Sequence, residues 1–134
     1  MTDPIQLGDI TIRFLVVEDG ISIFEVDVAP GAQVPAPHSH DAFEETIYGV
    51  MGTSTWAVDG APVAVAPGDA LHIRRGVVHG FVNDADAPTT FLAISTPGHM
   101  RPAYFLDVRD ALPDRAAVMD AMRRHGLTPA PPPS

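Results

Sequence analysis

No cysteine occurs among the 134 residues. Disulfides, thiolate nucleophiles and thiolate metal ligands are therefore excluded, and any metal site must be built from imidazole and carboxylate. Basic residues are scarce, 8 against 17 acidic ones, and the resulting net charge of -9 repels phosphate backbones and anionic lipid. Neither nucleic acid nor a membrane is expected as a partner. No stretch approaches the ~20 apolar residues that cross a bilayer, and the N-terminus has no basic region followed by an apolar run. The expectation is a cytoplasmic protein. What is plentiful is apolar material, 46% of residues against 19% charged, enough for one modest core and hence one domain.

From Ile10 to about Ile94 the chain is a series of short apolar or alternating runs cut by Gly, Pro, Asp and Asn, and no 3.6-residue period persists. Strands are expected at Ile10–Val17, Ile21–Val28, Glu45–Met51, Thr53–Val58, Ala61–Val65, Ala70–Ile73, His79–Asn83 and Thr89–Ser95. Many short strands separated by such turns predict an all-β sandwich or barrel. After Pro97 the texture changes. Pro113-Asp114 can open a helix, Ala117, Val118, Ala121 and Met122 form its apolar stripe, and Gly126 stands where a C-cap belongs. One C-terminal helix at about 113–125 is expected, with no helix pair of the kind that reads DNA. Residues 128–134, with four prolines, predict a disordered tail beyond a single domain spanning 1–127.

The histidines carry the functional signal. In an extended segment residues i and i+2 share a face, so His38 and His40 can chelate one ion together. Glu45 opens a strand whose same-face neighbours are Ile47, Gly49 and Met51, which puts a carboxylate at the wall of an apolar interior. There a metal would offset the cost of its burial. His79 starts a later strand and can enter the same lumen. Three imidazoles and one carboxylate suit a divalent transition metal, Fe, Mn, Ni, Zn or Cu.

These residues resemble the two motifs of the cupin superfamily. Gly31, His38-Ser39-His40, Glu45 and Gly52 follow the first, G-x5-H-x-H-x3/4-E-x6-G, with one extra residue in the first gap. Gly68, Gly76, His79 and Asn83 keep every spacing of the second, G-x5-P-x-G-x2-H-x3-N, with Arg74 in place of its proline. The stretch between the motifs is near the minimal length found in compact microbial members. The resemblance implies a jelly-roll β-barrel, a metal held by His38, His40, Glu45 and His79, a small-molecule substrate or ligand, and a homodimer.

Around this centre, Glu44 reads as a surface carboxylate. His72, if it faces the lumen between Leu71 and Ile73, is a candidate catalytic proton acceptor beside Glu45. The segment containing His99, Met100, Arg101, Tyr104 and Phe105 would close one end of the barrel or pack on a partner. The chemistry implied by the resemblance is that of a quercetinase-like non-haem dioxygenase acting on a planar or enolisable compound. The same centre also allows an oxygen-independent Lewis-acid isomerase, lyase or cyclase, or a small-molecule-binding cupin without turnover.

Overall fold

The computed structural model describes residues 3–130. Its strands are β1 (Ile5–Leu7), β2 (Ile10–Val17), β3 (Ser22–Val28), β4 (His38–His40), β5 (Glu44–Met51), β6 (Ser54–Val58), β7 (Ala61–Val65), β8 (Ala70–Ile73), β9 (His79–Val82), β10 (Thr89–Thr96) and β11 (Leu127–Pro129), and its helices are α1 (Pro102–Ala111) and α2 (Arg115–Arg124). One antiparallel sheet runs β1-β2-β3-β10-β5-β8 and the other β11-β4-β9-β6-β7. This is the all-β jelly roll that the sequence predicts.

Alternation in the strands explains the two layers. Along β3 and β10 every second residue is buried, and the inward set of Phe24, Val26, Phe91 and Ala93 forms the core between the sheets. Opposite lies Trp56, within 5.0–5.2 Å of the Phe81 and Phe91 rings. Burial of these rings supplies the main favourable term for closing one sheet over the other.

The C-terminal part departs from expectation in two ways. Two helices replace the single one. Asp114 caps α2, its carboxylate accepting from the Ala117 N–H at 3.2 Å, and Gly126 follows the helix with a φ of 83°. The added helix α1 starts at Pro102 and buries Tyr104, Phe105 and Val108. Phe105 stands 5.8 Å from Phe14 and 5.2 Å from Phe24, so α1 closes one end of the barrel, the role expected of this segment. The helices turn their buried faces to the barrel and to each other. The expected tail also begins too early. Thr128 and Pro129 belong to β11, where Leu127 pairs with His40 and Pro129 with His38. The Ala130 N–H then donates to the Pro37 carbonyl at 2.9 Å. Free backbone groups on β4 outweigh the poor strand propensity of a Pro-rich stretch. The rest of that segment, 131–134, lies outside the described residues. Among the described residues no helix is long and apolar enough to cross a membrane.

Candidate metal centre

Both motifs are positioned by backbone geometry. His38 and His79 are paired across β4 and β9, while His40 is paired with Leu127. Gly76, at a φ of 76°, turns the chain just ahead of His79 and donates its N–H to the His40 carbonyl at 3.0 Å. A left-handed turn of this kind costs a side-chain-bearing residue energy that glycine avoids. Asn83 anchors the other end of β9. Its amide donates to the carbonyls of Val28 (3.0 Å) and Ala87 (2.8 Å), and its oxygen accepts from the Ala85 N–H (3.1 Å). The last residue of the second motif is thus a buried brace.

The result is convergence of three imidazoles. One nitrogen from each of His38, His40 and His79 lies within 4.8 Å of the others, and all three side chains are buried. His38 Nδ1 lies 2.8 Å from the Ala36 carbonyl and His79 Nδ1 2.9 Å from the Val77 carbonyl. A carbonyl only accepts, so each Nδ1 carries the proton and each Nε2 presents its lone pair inward. Backbone acceptors of this kind orient metal-ligating histidines. Among the described residues, His40 leaves both ring nitrogens, and His79 its Nε2, buried without a hydrogen-bond partner. Orphaned buried nitrogens are costly unless something occupies them. A metal ion fits that vacancy in the bonding, and the donor set of neutral imidazoles suits a divalent transition metal.

Electrostatics agree with this geometry. Burial holds His38 down to about 3, with His79 adding repulsion, and holds His40 down to about 2, with His38 and His79 adding theirs. His79 is lowered as well, again mainly by burial. Near neutral pH no proton competes for the three lone pairs. Glu45 belongs to the opposite sheet, between Ser95 and Ile73. Its Oε1 is 3.9 Å from His79 Nε2, and burial pushes its carboxyl up to about 8. It stands beside the group of three imidazoles without belonging to the set of mutually close nitrogens, and without a cation near it the acid form is favoured.

His72 is not in this site. It is on the outer face of the sheet, with its side chain 48% exposed. Its Nε2 lies 3.0 Å from Glu44 Oε1 and its Nδ1 3.0 Å from Thr46 Oγ1. The reason is register. His72 pairs with Thr46 on β5, one residue away from the inward-facing Glu45. Its expected role as a lumenal proton acceptor is withdrawn. Arg74 is exposed and Glu44 half-buried.

A cavity of about 60 Å³ opens against the cluster. His38, Glu45, Trp56, His79 and Tyr104 are lining side chains that carry N or O atoms, the Trp56 N–H being taken up by Ser54 Oγ at 2.9 Å, and they are set among Ile12, Val26, Phe91, Met100 and other apolar groups. The sequence places Tyr104 in a closing segment, and the structure brings it to the cavity as well. Pro102 in the first turn, followed by Tyr104, Phe105 and Val108, was the signal that could have placed it on a helix facing inward.

Comparison with known proteins accords with this architecture. The cupin domain family (Cupin_2) matches residues 24–95, more than half of the chain. The quercetin 2,3-dioxygenase of Bacillus subtilis (strain 168) is 28% identical over 105 residues, which cover 76% of this chain and 31% of that protein. The chain therefore spans about a third of the length of this relative. Among solved structures, KdgF from Halomonas sp. superposes with a TM-score of 0.68 at 20% identity, covering 76% of this chain and 90% of that one. A cupin-superfamily sugar phosphate isomerase from Silicibacter pomeroyi gives a TM-score of 0.62 at 26% identity, covering 67% and 60% respectively.

Proposed function

The chain belongs to the cupin domain family, and on that premise we propose that it is a metal-dependent enzyme, a non-haem dioxygenase acting on a small planar or enolisable organic substrate. The observation that carries this reading is the cluster of three buried, neutral imidazoles, with orphaned nitrogens on His40 and His79, set against an apolar cavity that His38 and His79 line. His38, His40 and His79 would hold one divalent ion, Fe, Mn, Ni, Zn or Cu, with Glu45 as the fourth ligand. When bound, that ion supplies Lewis acidity and, for the redox-active metals, electron transfer to oxygen.

The chain's own groups do the rest. Glu45 is the group placed to hold and move a proton: burial pushes its carboxyl up to about 8, so without a cation beside it the acid form holds near neutral pH, and a bound ion would lower it towards the carboxylate that would accept a proton from an enolisable C–H or O–H. The apolar lining excludes water and packs the body of the substrate. The cavity has room for about four to six water-sized groups, far less than the ~300 Å³ and above typical of pockets for drug-sized ligands. A compact enolisable compound fits it better than a flavonol.

A second reading is an oxygen-independent Lewis-acid isomerase, lyase or cyclase. The proton-carrying position of Glu45 favours it, and the structural neighbour named as a sugar phosphate isomerase supports it. Against a phosphorylated substrate stands the lining. It contains no arginine, the chain has no lysine, and a phosphate would meet no positive charge beyond the ion. A binding cupin without turnover is the remaining alternative. The protein would act on a small molecule in the cytoplasm as a homodimer. Tyr48, Val50 and Met51, exposed on the outer face or end of β5, are the apolar groups that such an interface would cover.

The test is metal analysis of protein purified without chelator, followed by an oxygen-electrode assay against β-diketones, catechols and flavonols. About one equivalent of Fe, Mn, Ni or Cu with substrate-dependent oxygen uptake supports the dioxygenase. Bound metal with turnover but no uptake transfers the assignment to the Lewis-acid class. Bound metal with neither leaves the binding cupin.

A further inference from the structure

Helix α1 does more than plug the barrel, because it brings one phenol to the cavity. Tyr104 is 4% exposed and lines the cavity together with Glu45, His38 and His79. Its ring is held from two sides, by Phe105 at 4.9 Å and by His125 of the α1–α2 pair at 5.4 Å. His125 is fixed in turn, its Nε2 2.7 Å from an Asp107 carboxylate oxygen. The Tyr104 hydroxyl makes no hydrogen bond among the described residues. A phenol keeps its proton near neutral pH, so Tyr104 is an O–H donor there. A buried tyrosine normally finds a partner for its hydroxyl. Here the ring is packed on two sides and the side chain lines the cavity against the imidazole cluster.

We infer that Tyr104 is a specificity-determining residue, whose hydroxyl donates a hydrogen bond to an oxygen acceptor of a compact ligand with an apolar body seated between α1 and the three-imidazole centre. The inference deepens the metal-dependent reading and rests on it. Such a donor discriminates between ligands that present an oxygen opposite the ion and those that do not, because the unpaired hydroxyl gains a bond only with the former.

The experiment uses the full chain loaded with Zn(II), which binds ligands without redox turnover, and titration calorimetry with two probes. Acetylacetone presents oxygen acceptors. Imidazole binds a metal through nitrogen and leaves only an N–H. Tyr104→Phe is expected to weaken acetylacetone about tenfold, the worth of one hydrogen bond of this kind, while imidazole affinity stays within about twofold and Zn(II) stoichiometry and thermal midpoint do not fall. Equal acetylacetone affinity in Tyr104→Phe and wild type overturns the inference. So does an equal loss for both probes, which would mark a general structural effect, or absence of acetylacetone binding by the Zn(II)-loaded wild type. Failure of the underlying metal reading is seen separately, as no Zn(II) uptake by the wild type before any probe is added, and it removes this inference with it.

Discussion

Two histidine–carboxylate groupings sit on opposite faces of the same strand. Glu44 and Glu45 are neighbours on β5. Glu44 reaches His72 at 3.0 Å on the outside, and Glu45 stands 3.9 Å from His79 on the inside. By contact distance the outer pair is the better ion pair. It is nonetheless the inert one, since both of its side chains are well exposed and water competes with every bond it makes. Inside, burial keeps the imidazoles neutral and, among the described residues, leaves both nitrogens of His40 and the Nε2 of His79 without partners. The same residue types therefore give a surface contact or a candidate metal centre according to which side of the pleat they occupy.

Substitutions on the two faces would break that comparison if it is wrong. The largest effect is expected for His38→Ala combined with His40→Ala. Bound metal should drop from about one equivalent to almost none by elemental analysis, whereas His72→Ala should keep the full amount. Next comes the exchange of adjacent glutamates. Glu45→Gln should weaken metal affinity about 10- to 100-fold in competition with a chelating dye, and Glu44→Gln should leave it within about twofold.

The pH dependence of metal-free stability sharpens the contrast further. His38 and His40 are depressed from 6.5 to about 3 and about 2, so the stability they contribute is complete above 6.5 and drains away as pH falls towards those values. Glu45 is raised from 4.5 to about 8, so its contribution is complete below 4.5 and is lost as pH rises to about 8. Denaturant melts of chelated protein should peak near pH 6.5, and Glu45→Gln should remove the decline on the alkaline side. An unchanged alkaline limb in that variant would mean that Glu45 is not the group responsible. The smallest effect is reserved for the outer face, where His72→Ala should change unfolding free energy by less than about 0.5 kcal/mol.

Much of this was legible in the chain. Strands β2, β7 and β8 have the predicted bounds, because alternation and turn chemistry are local signals. The four proposed ligands were read from spacing and from motif resemblance, and three of them converge tightly. What escaped was set by distant partners. His72 could not be assigned a face from Leu71 and Ile73 alone, since only the pairing with Thr46 decides it. Helix α1 was missed because its amphipathic face is short, and β11 because its pairing with β4 lies about 90 residues away in the chain. Tyr104 went unrecognised as part of the site for the same reason, its place depending on how α1 docks against Phe14 and Phe24.

Strand β11 also fixes an order of events. The strand that carries His38 and His40 is flanked by β9 on one side and by residues 127–129 on the other. During synthesis the barrel strands can emerge and collapse first, but β4 keeps an open edge until the C-terminal segment leaves the ribosome and zips onto it. The proposed centre would therefore be enclosed only after residues 127–129 have been made, which would place any metal capture after the surrounding scaffold has formed.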